Sequence, residues 1–150
     1  MEPDYIVKKD FLTAADCAKL VACFERNLAS MHANPYTDPY WNNRFIWIGS
    51  LPEGERDARR LMQDTRRRVI RLLKDFYRET AELYSDTAQL VRWLPGWEMH
   101  PHADNMNTDG QPHDMPWRDY ASVIYLNDDY DGGELYFPGL DVEMNERASS

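Results

Sequence analysis

The chain has 150 residues, with 17 Lys and Arg against 26 Asp and Glu, a net charge of −9, and 43% hydrophobic residues. That length suits a single domain over 1–150 with a substantial core, and 5 Trp, 9 Tyr and 5 Phe supply bulky residues to fill it. The acidic balance weighs against a general nucleic-acid binder, and no stretch approaches the roughly 18 apolar residues of a membrane span. The start, Met1-Glu2-Pro3-Asp4-Tyr5-Ile6, lacks the basic and apolar regions of a signal peptide. Cys17 and Cys23 face different sides of a predicted helix, which disfavours a disulfide and suits a reducing compartment. These features lead to an expectation of a cytoplasmic protein without nucleic-acid or membrane partners.

Residues 4–8 alternate weakly and read as a short strand. A helix follows, with Thr13 as N-cap, Asp16 at the third helical position, and an apolar stripe of Leu20, Cys23 and Phe24 that Leu28 extends. Residues 29–43 read as a loop, Arg44 to Gly49 as a strand, and 51–54 as a turn. The longest helix is expected over 55–82, where Met62, Thr65, Val69, Leu72, Leu73 and Phe76 recur at three- and four-residue spacing. Nine of the 17 basic residues lie between Arg56 and Arg78. They read first as a solvated helix face over a sheet; an acidic partner or nucleic acid is the sharper alternative, against which the acidic whole weighs.

Beyond this helix the pattern turns to short strands: 87–94, 98–104, 119–127 (the clearest) and 134–137, with Val142 to Met144 opening another. Residues 105–117 form a polar loop and 128–133 a turn. The loop carries Met106, Met115 and Trp117 and reads either as a strand connection or as a lid. Helices followed by short strands and turns indicate an α+β chain with an antiparallel core.

The chemistry concentrates in 93–105, Trp-Leu-Pro-Gly-Trp-Glu-Met-His-Pro-His-Ala-Asp-Asn. On a strand, His102 and Asp104 point to one face. An imidazole and a carboxylate on one face are two of the three protein ligands in the two-histidine, one-carboxylate arrangement of non-haem Fe(II) oxygenases. The pair alone is a weak signal, since such pairs also serve as surface or capping residues. Around it stand Trp93-Leu94-Pro95-Gly96 upstream, then Arg118, Tyr125-Leu126-Asn127 and Gly132-Gly133-Glu134-Leu135-Tyr136-Phe137-Pro138 downstream.

This series resembles the prolyl-4-hydroxylase-like branch of the Fe(II)/2-oxoglutarate dioxygenases, whose motifs follow the same order. Asp10-Phe11-Leu12-Thr13 before a helix also looks like that family's N-terminal segment. The resemblance implies a double-stranded β-helix (jelly roll) with flanking N-terminal helices, using Fe(II) and the co-substrate 2-oxoglutarate, with ascorbate as a further ligand. It implies His102 and Asp104 as metal ligands, and Tyr125 as donor to the distal carboxylate of 2-oxoglutarate. Arg118 would stand at the substrate mouth, Leu135 beside the cofactor, and Asn105 behind the acidic ligand. Read without the family, Tyr125 and Leu135 are ordinary core residues and Arg118 is a surface arginine.

The chain departs from the family pattern in three places. Trp93 stands where the family often has a tyrosine contacting 2-oxoglutarate, and Ala121 replaces a frequent threonine. The third ligand, a later histidine, and the basic residue after it that pairs with 2-oxoglutarate have no match downstream of Asp104, where His113 is the only histidine. The expected domain therefore lacks its last strands and an incomplete site results. Local alternatives are a zinc site of His100, His102, Asp104 and His113, and a cupin-like motif opening at Gly96, for which the second histidine and the glutamate are missing. The expected function is hydroxylation of a prolyl or other substrate, peptide or small molecule, with release of succinate and CO2. The alternative is a non-catalytic jelly-roll binding module with a vestigial metal site.

Overall fold

The computed structural model describes residues 4–34, 39–107, 109 and 111–144. Helix α1 spans Ala14–Arg26, and the Thr13 side chain caps it by accepting from the Asp16 N–H. The cap satisfies one of the orphan donors that every helix start leaves. Cys17, Leu20, Cys23 and Phe24 form its buried face. The helix stops at Asn27, before the expected extension of the stripe. Leu28 lies in a following 3-10 turn and is exposed.

Helix α2 spans Arg56–Tyr77 and buries Ala58, Met62 and Thr65 against α1. It ends five residues before the expected 82. Arg78 takes a left-handed conformation at φ 52°, and the Glu79 N–H bonds back to the Lys74 carbonyl at 3.0 Å. That geometry closes a helix. Glu55, just before α2, ties the two helices together: it accepts from Arg26 Nε and Nη2 at 3.2 and 3.1 Å and from Asn27 Nδ2 at 2.9 Å. The Arg26 guanidinium first, and then the Asn27 amide, lower the Glu55 pKa to about 2.

The basic residues of α2 do more than keep a face wet. Arg59 donates to the Ile48 carbonyl, Arg66 to the hydroxyl and carbonyl of Ser85, and Arg68 to the Phe11 carbonyl while lying over the Phe11 ring. These contacts pin three flanking segments to the helix and make a structural role sufficient for those arginines.

Strand β1, Phe45–Trp47, pairs antiparallel with β2, Gln89–Val91, placing Ile46 opposite Leu90. Both of those side chains point inward. With Leu12, Ile48, Leu51 and the helix faces they form one core around Cys23 and Ile46, which are fully buried. Cys17 and Cys23 are free thiols whose pKa values burial raises, that of Cys23 to about 11, so both stay protonated and unreactive. A second antiparallel pair, β3 (Leu135–Phe137) and β4 (Val142–Met144), forms a hairpin, with Tyr5 stacked on Phe137 at 6.1 Å. No helix among the described residues is long and apolar enough to cross a membrane.

Several expected strands take other forms. Residues 4–8 do not pair, the 44–49 strand shortens to 45–47, and 87–94 shortens to 89–91. Residues 98–104 and 119–127 follow irregular backbone. A strand exists only through its neighbour's hydrogen bonds, and neither segment joins one of the two described ladders. The apolar content of 119–127 is still used, because Ile124 and Leu126 pack against the core. Residues 4–8 meet the rest through the stacking of Tyr5 on Phe137, and 98–104 through the Glu98 carbonyl, which accepts from the Tyr40 hydroxyl.

Candidate metal and ligand site

A tight turn introduces the 93–105 stretch. Gly96 has φ +80°, and the Trp97 N–H reaches the Leu94 carbonyl at 3.0 Å. Pro at the second position and Gly at the third suit a type II turn, whose third residue must have positive φ. The chain then runs irregularly to His102 and Asp104.

The structure brings these two side chains together without a strand. His102 Nε2 lies 3.3 Å from Asp104 Oδ1. The other ring nitrogen, Nδ1, is 2.9 Å from the His100 carbonyl. A carbonyl only accepts, so Nδ1 is the donor in this contact and Nε2 is the ring nitrogen that faces the carboxylate, the one whose lone pair a cation held between them would take. Ligands about 2.1 Å from one ion are separated by about 3.0 Å on an octahedral edge and about 3.4 Å on a tetrahedral one. The observed separation fits two donors sharing one cation. His102 and Asp104 therefore fit two positions of a metal site, with half of each side chain open to solvent.

No third ligand joins them among the described residues. The four-residue zinc arrangement is not assembled. His113 accepts at Nδ1 from the Met115 N–H at 3.0 Å.

Of the remaining expected site residues, Arg118, Leu135 and Trp93 make contacts outside the pair. Arg118 grips Asp86 through Nε and Nη2 at 3.1 and 2.8 Å, and this contact holds the Asp86 carboxyl below the usual range. Leu135 is half-buried opposite Met144 in the β3–β4 hairpin. Tyr125 is half-buried between Ile124 and Leu126. Asn105 is half-buried beside Asp104. Trp93 follows β2 and sits 6.5 Å from the Tyr40 ring and 5.6 Å from the Arg44 guanidinium. The Gly132-Gly133 pair takes φ +78° at both positions. A Cβ on Gly133 would approach Tyr130 to 3.2 Å, so the motif's glycines are required by backbone shape.

One cluster has no announcement in the sequence pattern. Arg44 lies 3.8 Å from the Tyr40 ring centre and 3.9 Å from that of Trp97. Tyr40 also donates from its hydroxyl to the Glu98 carbonyl at 2.6 Å, tying this cluster to the same stretch as His102 and Asp104. The only hint is the density of aromatics on either side of Arg44, since residues 57 and 53 positions apart cannot be paired by local periodicity.

Comparison with known proteins gives a distant likeness. Mouse (Mus musculus) prolyl 3-hydroxylase 2 is 29% identical over 116 residues, covering 67% of this chain and 16% of the relative. Mouse prolyl 3-hydroxylase 1 is 30% identical over 100 residues, 56% of this chain and 14% of the relative. Human (Homo sapiens) prolyl 3-hydroxylase 1 is 32% identical over 92 residues, 51% of this chain and 12% of the relative. The chain thus spans only a small fraction of the relatives it matches. No family model matches it, and no solved structure does. The similarity supports the wider prolyl hydroxylase group and does not single out prolyl-4-hydroxylases, the branch that the order of motifs resembles.

Proposed function

We propose that this chain carries part of the site of an Fe(II)- and 2-oxoglutarate-dependent dioxygenase that hydroxylates a prolyl or other substrate, releasing succinate and CO2. The framework in this reading is a double-stranded β-helix with N-terminal helices packed against it. The observation that supports it most is the His102–Asp104 pair, with Nε2 3.3 Å from the carboxylate and Nδ1 directed to the His100 carbonyl. The distant similarity to prolyl 3-hydroxylases agrees with it.

In this reading His102 Nε2 and the Asp104 carboxylate hold the metal, which with 2-oxoglutarate supplies the oxidising chemistry. The protein's own residues position and shield. The His100 carbonyl fixes the imidazole orientation and raises its basicity. In this reading Tyr125 would donate to a carboxylate of 2-oxoglutarate, Leu135 would pack beside it, and Trp93 would offer an indole N–H in place of the smaller phenol. Arg118, held by Asp86, would stand at the substrate mouth.

Fe(II)-dependent release of succinate from 2-oxoglutarate by the full-length protein, together with Mn(II) binding, tests this reading. His102→Ala and Asp104→Ala are each expected to lower both by about 100-fold or more. Turnover that survives both substitutions removes the pair as metal ligands. Mn(II) binding through the pair without succinate release identifies a binding module with a vestigial site instead.

A further inference from the structure

We infer that Arg44 is a carboxylate-binding residue, held in an aromatic cage next to the 93–105 stretch. The rings of Tyr40 and Trp97 lie 3.8 and 3.9 Å from its guanidinium carbon, and Trp93 stands at 5.6 Å. Three segments build this cage. The 3-10 turn Pro39–Trp41 supplies Tyr40, whose hydroxyl is tied to the Glu98 carbonyl. The Pro95-Gly96 turn supplies Trp97, and the end of β2 supplies Trp93. The Arg44 backbone is itself held, its carbonyl accepting from the Arg92 N–H at 2.8 Å.

Among the described residues no carboxylate or carbonyl receives the Arg44 donors, and Nη1 is buried without a hydrogen-bond partner. Arg26, Arg118 and Arg92 each face a carboxylate, of Glu55, Asp86 and Glu25, although Arg92 Nε is itself buried without a hydrogen-bond partner, and Arg59, Arg66 and Arg68 donate to carbonyl or hydroxyl oxygens. Ring faces attract a cation but accept none of its in-plane N–H donors in the way an oxygen does. An unmet buried donor is costly, and a planar carboxylate lying in the plane of the guanidinium meets two at once. Trp93, 47% exposed, is the loosest wall and the side from which a ligand enters. A single cation in a chain of net charge −9 suits a singly charged carboxylate better than a phosphate. The carboxylate belongs to a small dicarboxylate or to an acidic residue of a polypeptide. This inference needs no metal and stands apart from the oxygenase reading.

Glutarate titrated into the metal-free full chain, followed by the indole N–H resonances of its tryptophans, tests it. Saturable shifts are expected at Trp93 and Trp97 but not at Trp117, and uncharged glutaramide should produce none. Arg44→Gln is expected to weaken binding at least tenfold. Arg44→Lys, which keeps the charge but loses the fork, should weaken it similarly, while Arg71→Gln on the exposed face of α2 leaves it unchanged. A parallel titration with a glutamate-containing peptide and its glutamine counterpart separates the sources: tighter peptide binding assigns the site to a polypeptide, tighter glutarate binding to a small dicarboxylate. The unmutated chain decides the matter even where a variant does not fold. Absence of saturable shifts at Trp93 and Trp97 with both ligands overturns the inference, as does equal binding by glutaramide or by a folded Arg44→Gln protein.

Discussion

Ile46 and His102 occupy opposite environments. Ile46 has no exposed surface and faces Leu90 across a strand ladder. His102 leaves 47% of its side chain exposed on backbone that joins no strand. The same contrast separates the regions around them. Residues 12–91 contribute every member of the buried apolar cluster, drawn from two helices, one strand pair and their connections. Residues 93–134 contain His102, Asp104, Arg118 and Tyr125, and their contribution to that cluster is the partial packing of Ile124 and Leu126. Stability and candidate chemistry are therefore carried by different stretches. Catalytic and binding groups commonly sit on irregular segments positioned by a rigid scaffold, and here helices α1 and α2 with β1 and β2 are the scaffold.

The largest expected effect breaks the first region. Ile46→Ala opens a cavity at the centre of the core and should cost about 2–5 kcal/mol, read as a lowered urea midpoint at unchanged slope. A loss no larger than that of an exposed substitution such as Val123→Ala would mean that the core does not centre on Ile46.

A smaller effect lies at the joint between the helices. The Glu55 pKa is lowered from 4.5 to about 2 by Arg26 and Asn27. A depressed carboxylate pKa contributes stability that is present above the unfolded value and lost as pH falls toward the folded one. Stability is therefore expected to decline between about pH 4.5 and pH 2. Glu55→Gln should lower stability at neutral pH and flatten that decline. A pH dependence identical in the variant would contradict the role given to Glu55.

The smallest effect is expected in the second region. Asp104→Ala removes a half-exposed side chain whose contact is with His102, so the unfolding free energy should change by no more than about 0.5 kcal/mol. The same variant is the one expected to lose metal. Strong destabilisation by Asp104→Ala would erase the division between scaffold and site.

Local rules made much of the scaffold legible. Thr13 caps α1 as its side chain predicts, the stripe through Met62 and Thr65 identifies α2, and Phe45-Ile46-Trp47 is a strand inside the expected 44–49. Helix ends were less legible, because α2 stops where Arg78 turns left-handed, a conformation that its residue type does not signal. In the site, the His102–Asp104 pair was legible because its two members are neighbours in sequence. The engagement of Arg118 by Asp86 was not, since 32 residues separate them.

The sequence by itself determined the elements whose cause is local: a capped helix, an amphipathic helix, a Pro-Gly turn, the Gly132-Gly133 bend and the proximity of His102 to Asp104. Only the tertiary structure decided which strands form, because pairing needs a second segment alongside. It also decided which charges are matched. Glu55 holds Arg26, Asp86 holds Arg118, and Arg44 meets aromatic rings in place of an acceptor, an arrangement that three distant segments create only when they pack together.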